Sequence, residues 1–446
     1  MANPRISGRW LVLGWMLLTI CSITAGQEGS EKVWLREKPA VGQQYQVSCR
    51  VNLRGELRLP PEKPNGPSQT AAFTGSSAID YAEKILEVAA NGVVQRTIRL
   101  YERLDFRRRL GQQEQVSQLR QAARRMVILR AGHLEVPFSP DGPLTWSEID
   151  RVRTDVFTPA LAGLLPGRAV GMGEKWPANA SAVQELTDLE KVTQGTINCR
   201  LEQIQERQGQ RLAQISFAGT ISGVSEDGAS RHELRGLLYF DLAQNKIVYL
   251  SLEGKQWLLD SEGQAVGQVQ GTLVITRRIM NDIPQLSETA LRGLKLVPDE
   301  ENTRLLFAEK TLGVAFVYPR RWTVRRADPR QIFLDEPNGG TLLLTLDPPT
   351  HALTGTQYQQ QVERWLAQQQ AIVHRRGSVE QLPAPTGSLE RFRYEVTLRG
   401  EQLVLDYYAV RQAQGGATLA GRVPKQHRHL LADLEGIARS VKRGDP

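Results

Sequence analysis

The sequence predicts an α+β fold in two parts: a curved antiparallel sheet with a few helices, then a smaller antiparallel sheet flanked by helices. Three observations carry that expectation. Residues 193–278 alternate apolar and polar side chains, as in Ile215, Phe217, Gly219 and Ile221 against Gln214, Ser216, Thr220 and Ser222; a period of two marks strands with one buried face. Turn residues interrupt the stretch at Glu226-Asp227-Gly228, at Gln244-Asn245 and at 260–263, which spaces the strands as a meander. A second alternating pattern starts at Thr303 after a segment, 286–302, that has none.

The elements follow in chain order. Arg5 and Arg9 precede an apolar run from Trp10 to Ile23, with Thr24-Ala25-Gly26 behind it. A charged start, a short apolar middle and a small-residue end describe a secretory signal peptide over residues 1–26, cut after Gly26 or after Ala25. The alternative is an uncleaved N-terminal anchor. Cys21 follows Ile20 rather than a small residue, so it belongs to the apolar run and not to a lipid-attachment motif. No later segment is apolar enough to span a membrane, so the expected place is outside the cytoplasm, periplasmic or extracellular.

Residues 31–285 form the first folded unit. Tyr45, Val47, Cys49, Val51 and Leu53 alternate in its opening strand, and four prolines in 60–67 make a loop. Strands at 79–89 and 93–106 meet at Asn91-Gly92, a hairpin dipeptide. Residues 112–125, rich in Gln, Arg and Ala, read as a short helix. A hairpin around Ala131-Gly132 follows. Ser147 is then placed to cap a helix that carries Ile149, Val152 and Val156 on one face, and residues 160–165 continue beyond Pro159. Residues 286–302, with Pro298 and the acidic cluster Asp299-Glu300-Glu301, form a linker with a short helix near Ser287.

The second unit spans 303–443. Short strands lead to an amphipathic helix over 356–373, with Tyr358, Val362, Trp365, Leu366 and Ile372 on one face. A long hairpin around Gly400, a strand over 417–423 and a closing helix over 429–441 complete it.

Composition and motifs narrow the chemistry. Lys plus Arg exceed Asp plus Glu by 56 − 48 = 8, but the positives lie in pairs and one triplet, Arg107-Arg108-Arg109, and never in a run of five. That argues for solvated strand faces rather than a nucleic-acid surface. Gly171-Met172-Gly173-Glu174-Lys175-Trp176 runs into Pro177 instead of a helix, so it is not a phosphate loop, and no cofactor is expected. The six histidines form no metal pattern: His232-Glu233 lacks the second histidine of a zinc protease, and His427 and His429, two apart, do not share a helix face. No Gly-x-Ser-x-Gly elbow occurs. No catalytic, cofactor-binding or metal-ligating residue is therefore named. The one site assignment is a disulfide between Cys49 and Cys199, allowed by export and closing a loop of about 150 residues, a length for which roughly 4–5 kcal/mol is expected. Its alternative is two separately buried thiols.

Two resemblances add to this reading. Val170-Gly171-Met172-Gly173-Glu174-Lys175-Trp176 resembles a turn found in exported bacterial β-domains of unknown function, where it precedes a strand meander; the likeness covers about 166–278. A curved sheet with helices on one face then looks like the half-barrel of periplasmic lipoprotein-carrier and lipid-binding proteins, which implies an apolar cavity unless side chains fill it. In the second unit, Gly313-Val314-Ala315-Phe316-Val317-Tyr318-Pro319-Arg320-Arg321-Trp322 resembles the start of the PsbP-like family, and the mid-domain helix and the closing Ile437-Ala438-Arg439-Ser440-Val441 are similar too. That resemblance implies an interaction module without catalytic residues. The expectation is an exported, non-catalytic protein that binds an unknown protein or an apolar ligand in the cell envelope. The alternative is a secreted hydrolase with a dispersed site, which requires pKa-shifted acids or histidines clustered in a cleft. A purely structural envelope component would lack an apolar pocket.

Overall fold

The computed structural model describes residues 32–59, 69–117, 119–131, 134–153, 155–226 and 228–444. The leader at 1–26, the proline loop at 60–67, the hairpin tip Gly132, His133 and the turn residue Asp227 lie outside the described residues.

One large antiparallel sheet dominates. Its principal strands are β1 (Gln44–Leu59), β2 (Gln69–Val88), β3 (Val94–Leu110), β4 (Arg125–Ala131), β5 (Leu134–Phe138), β6 (Lys191–Arg207), β7 (Gln210–Ser225), β8 (Gly228–Asp241), β9 (Lys246–Leu259) and β10 (Ala265–Met280). They lie side by side in the order β6-β7-β8-β9-β10-β1-β2-β3-β4-β5, with a short strand at Lys175–Pro177 outside β6. The meander is thus present, and its last strand returns to pair with the first. One row of directly opposed residues crosses seven strands: Ile215, Leu238, Leu250, Ile275, Cys49, Ile79 and Leu104. All seven are buried. Burying such side chains is the main stabilising term, roughly 1.5–3 kcal/mol for each large one.

Glycines inside the strands let the sheet coil. A Cβ on Gly55 would lie 2.1 Å from the Gln268 carbonyl oxygen, and one on Gly219 would lie 2.1 Å from that of Thr196. No side chain fits between backbones so close, and glycine in a strand interior marks such an approach.

The concave face is covered by α1 (Trp146–Arg153), a 3₁₀ segment (Thr158–Leu164) and α2 (Ala180–Thr187). Ile149, Val152, Leu161, Leu164, Ala182 and Val183 share one core with the sheet. Three details differ from the sequence expectation. Residues 112–125 do not form one helix: Gln113–Ser117 is a strand that folds back onto the end of β3 around Gly111, whose φ is +58°, and Gln121–Ala123 makes a single 3₁₀ turn. Pairing with an existing strand outweighs the helix propensity of Gln, Arg and Ala, which tertiary context readily overrides. The cap of α1 is Thr145, not Ser147; its hydroxyl accepts from the Glu148 N–H at 3.2 Å while Glu148 accepts from the Thr145 N–H at 2.8 Å, a reciprocal capping box. The helix α2 was not expected at all, although Asn179 caps it through the Ser181 N–H at 3.1 Å.

Beyond β10 the chain docks on the other side of the sheet. Ile283, Leu286 and Leu291 pack with Ala82, Ile98, Val127 and Phe138, and Ser287 caps a single turn at Glu288–Leu291. Leu305–Glu309 then pairs with Val314–Tyr318 and, in parallel, with Leu144–Thr145 just before α1. The second sheet runs Thr323–Ala327, Gln331–Asp335, Thr341–Asp347, Gly415–Pro424, Glu401–Gln412, Ser388–Leu398, Ile372–Arg376. Its hairpin turns at Gly400 as expected. The helix before it, α3 (Gly355–Gln368), is shorter than expected: Gln370 adopts φ +54° and the chain leaves as a strand. Ile372 therefore sits 62% exposed on the edge strand instead of on a helix face. The closing helix, α4 (Leu431–Ser440), starts after a 3₁₀ segment that holds both His427 and His429. Taken together the fold is antiparallel sheet with few helices.

Candidate functional site: a cleft in the concave face

Two places on the inward rows of the sheet frame a cleft. Across β8, β9, β10 and β1, Leu234, Gly254, Gly271 and Leu53 stand opposite one another. Two adjacent glycines leave the middle of that row without side chains, and Leu252, Leu273 and Val51 form the next row. The second place is on β2, β3, β4 and β5, where inward positions carry Glu83, Arg99, Arg130 and Glu135.

A cleft of about 440 Å³ opens over the glycine row, between the sheet and the α2 end of the cover. Its size suits a small ligand. Val51, Leu53, Leu234, Leu252, Val269 and Leu273 make the apolar floor, and residues 184–190 make the roof. His232 is on the floor too, 5% exposed and hydrogen-bonded to Ser230 at 3.0 Å. Burial pushes its pKa down to about 4, so it is neutral at ordinary pH. Ser230 is 1% exposed, too deep to attack a substrate.

The closed end of the cleft is ionic. Arg130 is bound by Glu185 and lies 3.5 Å from Glu135. Behind it, Arg99 donates to Glu83 and to Asp155, each at 2.9 Å, with side chains no more than 1% exposed. The Arg99 guanidinium also lies over the rings of Tyr81 and Phe157, at 4.6 and 5.6 Å. Four carboxylates thus share two guanidiniums. The charge does not balance if all are ionised, and burying an unbalanced carboxylate is costly. Burial accordingly pushes Glu135 up to about 8, helped by Glu185, and Asp155 up to about 7 against the pull of Arg99. Glu135 Oε2 meets no hydrogen-bond donor. Of these residues the sequence singles out only Glu83, as one of several acids that could meet in space with Asp80, Asp227 and Glu233, and it yields no carboxylate pair. The signal was there in the strand phase: Glu83 sits between Tyr81 and Ile85, and Arg99 between Thr97 and Tyr101, at inward positions of strands otherwise apolar on that face.

The two cysteines are in the same core but are free thiols. Cys49 on β1 stands opposite Ile275 and Ile79, and Cys199 on β6 opposite Phe217 and Trp176, so four strands separate β1 from β6. The structure therefore has the alternative of two buried thiols rather than the bridge. Burial raises both pKa values, that of Cys199 to about 12, which leaves neither as a thiolate nucleophile. The rings of His427 and His429 lie 5.9 Å apart, and no group of three or more metal-ligating side chains gathers among the described residues.

No protein-family model and no curated protein matches the chain. Among solved structures, cyanobacterial PsbP (CyanoP) from Synechocystis sp. PCC 6803 is similar at 12% identity and TM-score 0.25, over 31% of this chain and 92% of that one. Lipovitellin, in a structure of its lipid–protein interactions, is similar at 10% identity and TM-score 0.31, over 56% of this chain and 26% of that one. MucB in complex with periplasmic MucA is similar at 12% identity and TM-score 0.15, over 91% and 94%. These scores are low, and the fold rests on the strand order itself. Among the described residues, no helix is long and apolar enough to cross a membrane.

Proposed function

We propose that the chain is an exported, non-catalytic binding protein whose concave cleft takes an apolar or amphipathic small ligand, with the second sheet serving as its interaction module. One observation carries the reading: Gly254 opposes Gly271 in the inward row, and with the Leu234 and Leu53 side chains lying over these glycines the sheet leaves a cleft of about 440 Å³ there. A side-chain-filled core needs no such gap, and cores are otherwise packed densely. The test is organic extraction and mass spectrometry of the purified protein, with titration of the neutral fluorophore N-phenyl-1-naphthylamine. Wild type should release a ligand or bind the fluorophore, and Leu273→Trp, which fills the floor, should do neither. A wild type that releases nothing and leaves the fluorophore dark would end this reading.

A second reading is favoured by one feature. Glu135 and Asp155, both raised toward neutral pH, line a cleft open to solvent, and a hydrolase needs acids tuned in that way. Both Asp155 oxygens are already engaged, by Arg99 and by the Val156 N–H at 2.9 Å, which favours binding over catalysis. Hydrolysis of a chromogenic ester or glycoside that Asp155→Asn abolishes, with folding intact, would reverse that preference.

A further inference from the structure

We infer that the ligand of the cleft carries a cationic head, an ammonium or guanidinium, seated at the closed end against Glu135 and Glu185. The inference rests on the cleft being a ligand site and assigns polarity to the molecule within it.

Charge is distributed unevenly along the cleft. At the mouth, Arg108, Arg153 and Lys255 are exposed, as are Asp188 and Glu190. Two of those three cations have work elsewhere: Arg153 reaches Glu226 at 3.2 Å, and Arg108 lies 4.6 Å over the Phe106 ring. At the closed end the side chains of Arg130, Glu135 and Glu185 are only 7%, 11% and 9% exposed, and Asp155 is 1% exposed. With Glu83 and Arg99 behind them, the formal count there is four negative groups against two positive.

Each guanidinium already serves two carboxylates. Two buried atoms of the cluster lack a partner, the donor Arg99 Nη2 and the acceptor Glu135 Oε2; Glu135 lines the cleft and Arg99 does not, so the acceptor is the one a ligand meets. A buried acceptor in that state is destabilising, and a donor that also brings positive charge satisfies the atom and the charge count together. An apolar tail would then lie over Val51, Leu252 and Leu273, toward the mouth. A carboxylate or sulfate head in the same place would bring an anion where carboxyl groups already outnumber guanidiniums.

The test uses the purified full chain and four probes of equal chain length, below their micelle concentrations: dodecylamine, dodecyltrimethylammonium, dodecanoate and dodecyl sulfate. Calorimetry should show both cations binding about tenfold or more tighter than both anions, the size of one charge-assisted hydrogen bond. The primary amine should exceed the quaternary head if hydrogen bonding to Oε2 matters, and match it if charge alone does. Glu135→Gln should bring cations and anions level, and Glu185→Gln gives a second route should the first variant unfold on circular dichroism. Equal binding of all four by wild type, or anions tighter, overturns the cationic head and leaves the cleft a ligand site. No binding of any of them overturns both.

Discussion

The guanidinium of Arg99 reaches Asp155, 56 residues later in the chain, at 2.9 Å with neither side chain more than 1% exposed. That contact joins the sheet to the segment that covers it. Removing the cation strands two buried carboxylates, and breaking a buried pair from one side costs about 3–5 kcal/mol. Arg99→Met should lower the unfolding free energy by that amount, read as a lower urea midpoint. Arg235→Ala, which breaks an exposed pair with Glu253, should leave it unchanged. Equal midpoints for Arg99→Met and wild type would mean that the network does not hold the cover down.

Stability should fall as pH rises from about 4.5 to 8. The folded pKa values of Asp155 and Glu135, about 7 and 8, lie above their unfolded values. The folded state therefore binds more protons than the unfolded state over that range, and stability is lost as pH rises. Two groups act in the opposite sense. His232, about 4 when folded, opposes the fall up to about its unfolded value of 6.5. Lys246, lowered to about 8 by burial, opposes it above pH 8, where the raised thiols of Cys49 and Cys199 offset it. Melting temperatures across pH 4–10 should show the fall, and Glu135→Gln with Asp155→Asn should flatten it. A curve that rises through 6.5–8 in wild type would contradict the raised acids.

Sheet coiling depends on Gly55. Gly55→Ala would drive a methyl against the Gln268 carbonyl and should cost about 1–3 kcal/mol, the scale of overpacking. Gly75→Ala is the control, since its Cβ would meet only Leu53 and Phe73 side-chain atoms at 3.5 Å. A chemical-denaturation series in which the two variants behave alike would argue against a close backbone crossing at Gly55.

Cys49 and Cys199 should not react with a thiol reagent in the native protein. Both should alkylate fully in denaturant without reductant, read by intact mass. Failure to alkylate without reductant would restore the bridge.

Much of this was readable in advance, and the exceptions have physical causes. The meander and the Gly400 hairpin follow from alternation and turn chemistry, which are local. The strand at Gln113–Ser117 was misread because its structure comes from a neighbour, β3, and not from its own propensity. Ile372 was misread because a helix stop at Gln370, a residue without special turn preference, does not show in sequence. The acid cluster was unreadable as a cluster: Glu83, Arg99, Glu135, Asp155 and Glu185 come from four strands and loops and one helix, and only the fold brings them to one end of one cleft. The glycine pair under the cleft is similar, since Gly254 and Gly271 gain meaning only once their register places them opposite each other.

The position of β1 has a consequence for how the molecule is made. β1 is the first principal strand to emerge, yet one of its two neighbours is β10, and Glu37 just ahead of it holds Arg277 across 240 residues. During synthesis or translocation that side of β1 waits, greasy and unzipped, until residue 280 has arrived. Such a long wait slows maturation and invites mispairing between nascent chains.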